Sequence, residues 1–134
     1  MSEEKMVRQR MQINASKERI WNILTDPDYA KELGNEFDEN AFMQSDWKLG
    51  SPVYFIYEND KIAATGNITE LKKFEKIYIQ YKEFSYVESF SIITEGANSI
   101  FEFYGGPYLY DHEEQVEVWN KWLLKLKSLS EEGI

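Results

Sequence analysis

One histidine, no cysteine and a wealth of aromatic side chains set the chemical repertoire of this chain. His112 stands beside Asp111, Glu113 and Glu114, whose charges favour a protonated imidazole. The positive end of a helix starting there disfavours it. A general base needs an orienting partner and a substrate within reach. No neighbouring motif supplies either, so His112 is expected on the solvent-exposed surface. Without cysteine there is no thiol catalysis, thiolate metal site or disulfide framework. Only carboxylates remain for a metal, and no Asp/Asn loop of calcium type is present. No metal and no cofactor is expected. Gly105-Gly106 lacks the Lys-Ser/Thr of a phosphate loop and reads as a turn.

That leaves nine Tyr, eight Phe, four Trp and a few polar groups. Tyr54, Phe55 and Tyr57 share one strand, Tyr78 and Tyr81 another, and Phe101, Phe103 and Tyr104 the last. Rings of this kind build apolar cavity walls, and tyrosine hydroxyls orient what the walls hold. Phe101 and Phe103 are expected to face inward because Glu102 between them prefers water. Phe90 and Ile92 face inward on the neighbouring strand. Glu88 shares their parity near the strand end, as a polar group of the cavity or, the simpler reading, a solvated residue of its rim. Candidate ligand contacts are therefore Phe90, Ile92, Phe101, Phe103, Gln115, Val116 and Trp119, with Tyr54 and Tyr81. Ordinary core packing is the competing role for Trp119 and Trp122.

The element that must close such a site is Asp111 to Leu129. Val116, Trp119, Leu123 and Leu126 fall at helical spacing, and Val118, Trp122 and Leu129 form a second row. Asp111 and Glu114 suggest a capping-box start, and Lys121, Lys125 and Lys127 lean toward the negative end of the dipole. About 28 Å of helix crosses several strands. Upstream, Met6 to Ile13 alternates as a strand with Val7, Gln9, Met11 and Ile13 on one face. Ser16 caps a helix at Lys17 to Leu24, with Trp21 on its flank. Asp26-Pro27 starts a second helix that ends at Gly34.

Six strands then follow. Phe37 to Trp47, with Asp38 and Glu39, is the first, and Val53 to Tyr57 leads through an Asn59-Asp60 hairpin into Lys61 to Phe74. Gly66 suggests a bulge or bend in that long strand. Glu75 to Phe84 puts Ile77, Ile79 and Tyr81 on one face. Tyr86 to Thr94 and Ala97 to Tyr104 pair through Glu95-Gly96. Hairpins dominate, which predicts an α+β fold with a bent antiparallel sheet.

A single domain over residues 1–134 is expected, since no linker-like stretch interrupts the chain. The opening MSEEKMVRQR is charged and lacks an apolar core, and no window reaches the ~20 apolar residues of a membrane span. A cytoplasmic protein is the expectation. The net charge of -9 argues against nucleic acid and anionic membrane surfaces as partners.

The order of these elements, and the residues that fill them, resembles the START-like superfamily (SRPBCC, helix-grip). The nearest likeness is to its small Aha-type branch, named for homologues of a heat-shock chaperone ATPase activator. The carrying runs are INASKERIWNILTDPDYAKELG, WKLGSPVYF, ATGNITELKKFEKIYIQY and VWNKWLLKLKSL, which together cover most of the chain. The branch commonly has Gly-Gly where this chain has Gly50-Ser51. The resemblance implies a curved sheet of about six to seven strands gripped by the C-terminal helix over an apolar cavity. Members of the superfamily bind lipids, sterols, polyketides, flavonoid-like aromatics or plant hormones, some cyclise polyketides, and others bind the chaperone. Binding a small hydrophobic or aromatic molecule is the expected function. A co-chaperone-type interaction module and a cyclase-like enzyme are the alternatives.

Overall fold

The computed structural model describes residues 5–35, 37, 41–57, 61–82, 85–108 and 111–132. Alternation and capping produce the first three elements. β1 (Val7–Ile13) buries Val7 and Ile13 and exposes Arg8 and Arg10. Ser16 Oγ accepts from the Arg19 N–H to start α1 (Lys17–Thr25). Asp26 Oδ1 accepts from the Asp28 N–H to start α2 (Pro27–Gly34), with proline in the first turn, where its missing N–H is no loss. Trp21, beside the Ile20, Ile23 and Leu24 face, is buried as well and meets the Phe74 ring edge-on at 6.0 Å.

Seven strands form one antiparallel sheet in the order β1-β7-β6-β5-β4-β3-β2. After β1 come β2 (Phe42–Gln44), β3 (Pro52–Tyr57), β4 (Lys61–Lys72), β5 (Lys76–Tyr81), β6 (Val87–Glu95) and β7 (Asn98–Gly106). Among the described residues of the expected strand over Phe37 to Trp47, three, Phe42–Gln44, are in the ladder. Its ladder cannot continue through Trp47, which holds a left-handed φ of 56°. Asp38, Glu39, Asn59, Asp60 and Phe84, which the sequence places in strands or a hairpin, lie outside the described residues.

The sheet bends at two places in β4, neither of them Gly66. Phe55 faces Ala64 while Ile56 faces Ile62, so Ala63 is the extra residue of one bulge. Ile68 faces Ile79 while Glu70 faces Tyr78, which makes Thr69 the second. Gly66 serves close approach instead: a Cβ there would stand 2.8 Å from Ile79 Cγ2 and 3.0 Å from the Gln80 carbonyl oxygen.

Ile68, Ile77, Ile79, Phe90, Ile92, Phe101 and Phe103 turn to the concave side and are buried. On the convex side Glu102 lies 3.7 Å from both Arg8 and Arg10. The closing helix α3 (His112–Glu131) crosses the concave side, burying Trp119, Trp122, Leu123, Leu126 and Leu129. Its start differs from the capping box expected. Asp111 makes no side-chain cap, because its Oδ2 accepts instead from Gln115 Nε2 at 3.0 Å.

At the other end of α3 the last turn carries no basic residue, and α1 supplies the missing donors. Arg19 Nε donates to the Ser130 carbonyl at 3.0 Å. Its Nη2 donates to those of Leu129 and Glu132 at 3.2 and 3.0 Å. A guanidinium forked onto carbonyls that a helix end leaves without donors is a favourable cap. Arg19→Ala is expected to lower unfolding free energy by about 2 kcal/mol, read as a lower urea midpoint, while Arg19→Lys recovers only part of it. Among the described residues no helix is long and apolar enough to cross a membrane.

Candidate functional site

The start of α3 meets β1 and β7 and stands off from the strands on the other side of the sheet. A hollow of about 210 Å³ remains between the N-terminal half of α3 and the strands from β2 to β6. Phe37, Met43, Phe55 and Ala64 form its apolar wall, and Gln115 and Trp119 its roof. Tyr81, Tyr86, Glu88 and Tyr108 close the far end. Period-two alternation on β6 aims Glu88 inward with Phe90 and Ile92, and Tyr81 comes inward with Ile77 and Ile79 on β5. Tyr86 stands before β6 and Tyr108 after β7, so both arrive from the connections.

Glu88 is 5% exposed, so it is a cavity group and not the rim residue expected. The rim reading fails because Tyr86 and Tyr108 fold over the strand end. Tyr81 donates to Glu88 Oε1 at 2.8 Å and Tyr86 to Oε2 at 2.5 Å. A phenol has one proton, and Tyr86 gives its own to Glu88. The 2.6 Å contact between Tyr86 and Tyr108 therefore runs with Tyr108 as donor. Tyr108 in turn accepts from Trp119 Nε1 at 2.8 Å. With Glu88 ionised, every proton of the chain Trp119–Tyr108–Tyr86 points toward the carboxylate.

Burial pushes the Glu88 carboxyl up to about 7, against the downward pull of the Tyr86 and Tyr81 hydrogen bonds. Burial likewise holds the Tyr86 phenol well above its ordinary value, and the charge of Glu88 adds to the effect. Tyr108 rises for the same two reasons, burial first. The site is thus a carboxyl poised near neutrality, fed by phenols that stay protonated.

Of the residues the sequence nominates, Tyr81, Gln115 and Trp119 line the hollow. Phe90, Ile92, Phe101 and Phe103 are packed behind it in the core. Phe103 stacks on Trp119 with ring centroids 3.6 Å apart and planes at 16°. Val116 is half-buried and its carbonyl accepts from Gln9 Nε2 at 2.9 Å, tying α3 to β1. Tyr54 faces Gln44 and Thr65 in the ladder, away from the hollow. His112 is half-buried, its Nε2 being 2.9 Å from the Met6 carbonyl oxygen, and so is not the free surface histidine expected. Sequence reasoning missed Tyr86 and Tyr108, whose inward direction no strand periodicity encodes.

A second hollow of about 120 Å³ lies between α2 and β2 and shares the Phe37, Met43 and Phe55 walls. The Phe37 ring meets Trp119 edge-on at 4.7 Å and Phe55 at 5.7 Å. It stands as the partition between the two spaces.

Residues 14–131 match the family model described as activator of Hsp90 ATPase homolog 1-like protein. No curated protein matches the sequence of the chain. Among solved structures, the Aha1 dimer from Colwellia psychrerythraea is similar at 20% identity and a TM-score of 0.76, covering 96% of this chain and 97% of that one. Protein MLL2253 from Mesorhizobium loti has 12% identity, a TM-score of 0.76 and coverages of 96% and 98%. CalU16 from Micromonospora echinospora has 15% identity, a TM-score of 0.68 and coverages of 95% and 84%. At these identities the likeness is one of fold: a curled antiparallel sheet crossed by a long C-terminal helix.

Proposed function

Because the chain belongs to the family of activator of Hsp90 ATPase homolog 1-like proteins, a helix-grip family, we propose that it uses the space under its closing helix to bind a small, largely apolar ligand of about one aromatic ring. The observation that carries this reading is the 210 Å³ hollow, walled by aromatic side chains and ended by one buried polar cluster. A cavity of roughly 150 Å³ suffices to hold benzene. Affinity comes from apolar area removed from water, at about 25 cal/mol per Å², and orientation from the polar end.

Two other readings fit less well. An interaction module of co-chaperone type calls for a filled, dry interior, and an open hollow argues for a ligand instead. Catalysis calls for convergent polar groups with shifted titration, a condition that Glu88, Tyr86 and Tyr108 do meet. Space for one ring, however, does not accommodate the chain of a linear polyketide.

Thermal unfolding in the presence of toluene, indole and benzyl alcohol tests the binding reading. The expected result is a melting temperature that climbs with ligand concentration, equivalent to about 2.7 kcal/mol at a hundred times Kd. A melting temperature that none of the three moves would sink the reading. Phe37→Ala is expected to join the two hollows, costing about 3 kcal/mol of stability and shifting preference from one-ring to two-ring compounds. Unchanged selectivity between toluene and naphthalene would show that Phe37 is no partition.

A further inference from the structure

The polar end of the hollow holds an ionisable carboxyl with no cationic side chain among the described residues that line it. Among the ten described lining residues the charged group is Glu88, and none is lysine, arginine or histidine. Buried carboxylates ordinarily acquire a cationic partner, because two neutral donors offset only part of the lost hydration. Among the described residues Glu88 accepts from two tyrosine hydroxyls, one on each oxygen, and each oxygen of a carboxylate has room for a second donor. Tyr81, Tyr86 and Trp119 line the same space, and aromatic rings are favourable neighbours for a cation.

Resting on the ligand-binding reading, we propose that the ring held in this cavity carries an ammonium group, so that the site recognises a small aromatic amine in its protonated form and Glu88 supplies the counter-charge. The polarity of the hydrogen-bond chain supports a donor on the ligand. Tyr86 and Tyr108 spend their protons toward Glu88, and so the cluster offers an incoming group acceptors more than donors. A carboxylate-bearing ligand meets a like charge and no cation. A neutral alcohol satisfies one lone pair and leaves the charge uncompensated. The net charge of -9 also draws cations toward the protein.

Binding and protonation are then coupled. The groups facing Glu88 are Tyr81 and Tyr86 directly and Tyr108 through Tyr86, with Asp111 close to Tyr108 and already engaged by Gln115. Its strand neighbours Ile79 and Gly105 do not titrate. An ammonium beside the carboxylate favours its ionised form, so at pH 7 amine binding expels the fraction of a proton that Glu88 carries.

Calorimetric titration at pH 7 with benzylamine, benzyl alcohol and benzoate tests this. Benzylamine is expected to bind about tenfold or more tighter than benzyl alcohol, and benzoate not at all. In two buffers of different ionisation enthalpy, benzylamine is expected to show net proton release and benzyl alcohol none. Glu88→Gln is expected to weaken benzylamine about tenfold and benzyl alcohol by less than about threefold. Should that variant fail to fold, proton release by the unaltered protein decides alone. Benzyl alcohol binding as tightly as benzylamine, or amine binding without proton release, would overturn the amine assignment and leave the ligand-binding reading standing. If none of the three compounds binds, the amine assignment falls, and the melts with toluene and indole decide the ligand-binding reading.

Discussion

Trp119→Ala is expected to lower the unfolding free energy by about 4 kcal/mol, within the range for truncating a buried tryptophan. The side chain is 1% exposed and its ring stacks on Phe103. It also meets Phe37, Phe90 and Trp122 at centroid distances of 4.7, 6.2 and 5.2 Å. Truncation removes these contacts at once and extends an existing hollow, so the surroundings collapse only in part. It also takes the N–H that Tyr108 accepts, adding about 1 kcal/mol for the lost hydrogen bond. Trp119→Phe separates the contributions: it keeps a ring on Phe103 and loses the N–H, for about 2 kcal/mol in all. Urea unfolding of both variants checks this, since a domain of 5–15 kcal/mol shows such losses clearly. A loss below about 1 kcal/mol for the alanine variant, with apolar ligands no longer bound, would make Trp119 a cavity wall alone and not also a core residue.

Stability is expected to fall as pH rises from about 4.5 to about 7, through the single carboxyl of Glu88. Its pKa is raised on folding, from an ordinary 4.5 to about 7, so in that window the native state holds more protons than the unfolded chain. The slope of unfolding free energy with pH is therefore negative. The contribution is complete below the unfolded value and gone above the folded one. At about 1.4 kcal/mol per pH unit, the whole effect is on the order of 3 kcal/mol. Other carboxylates titrate over the same range, so the test is the difference between the wild-type protein and Glu88→Gln. Glutamine stays neutral and, with the Tyr86 O–H reversed, satisfies the same partners. Urea midpoints at pH 4 to 8 are expected to converge at low pH, and the glutamine variant is expected to be the more stable at pH 8. Parallel curves would mean that Glu88 ionises normally and that the hollow is wetter than its walls imply.

Much of this architecture is written in short-range pattern. Alternation marks β1 and the inward rows Ile77, Ile79 and Tyr81, or Phe90 and Ile92, because a strand's period of two needs only neighbouring residues. Ser16, Asp26 and Pro27 mark two helix starts for the same reason, since a cap reaches only two or three residues ahead. The two rows of α3 and the hairpin order were enough to predict a helix laid on a bent antiparallel sheet. What periodicity does not carry is which distant groups meet. Its parity sends Glu88 inward, but only the folded chain brings Tyr86 and Tyr108 over it and turns a rim position into a buried one. Arg19 reaches carbonyls over a hundred residues away, a partnership no local signal announces. The bulges fall at Ala63 and Thr69, and Gly66 proves to be a point of close approach. Local stereochemistry specifies elements from neighbours along the chain, whereas burial, cavity volume and proton affinity depend on neighbours through space.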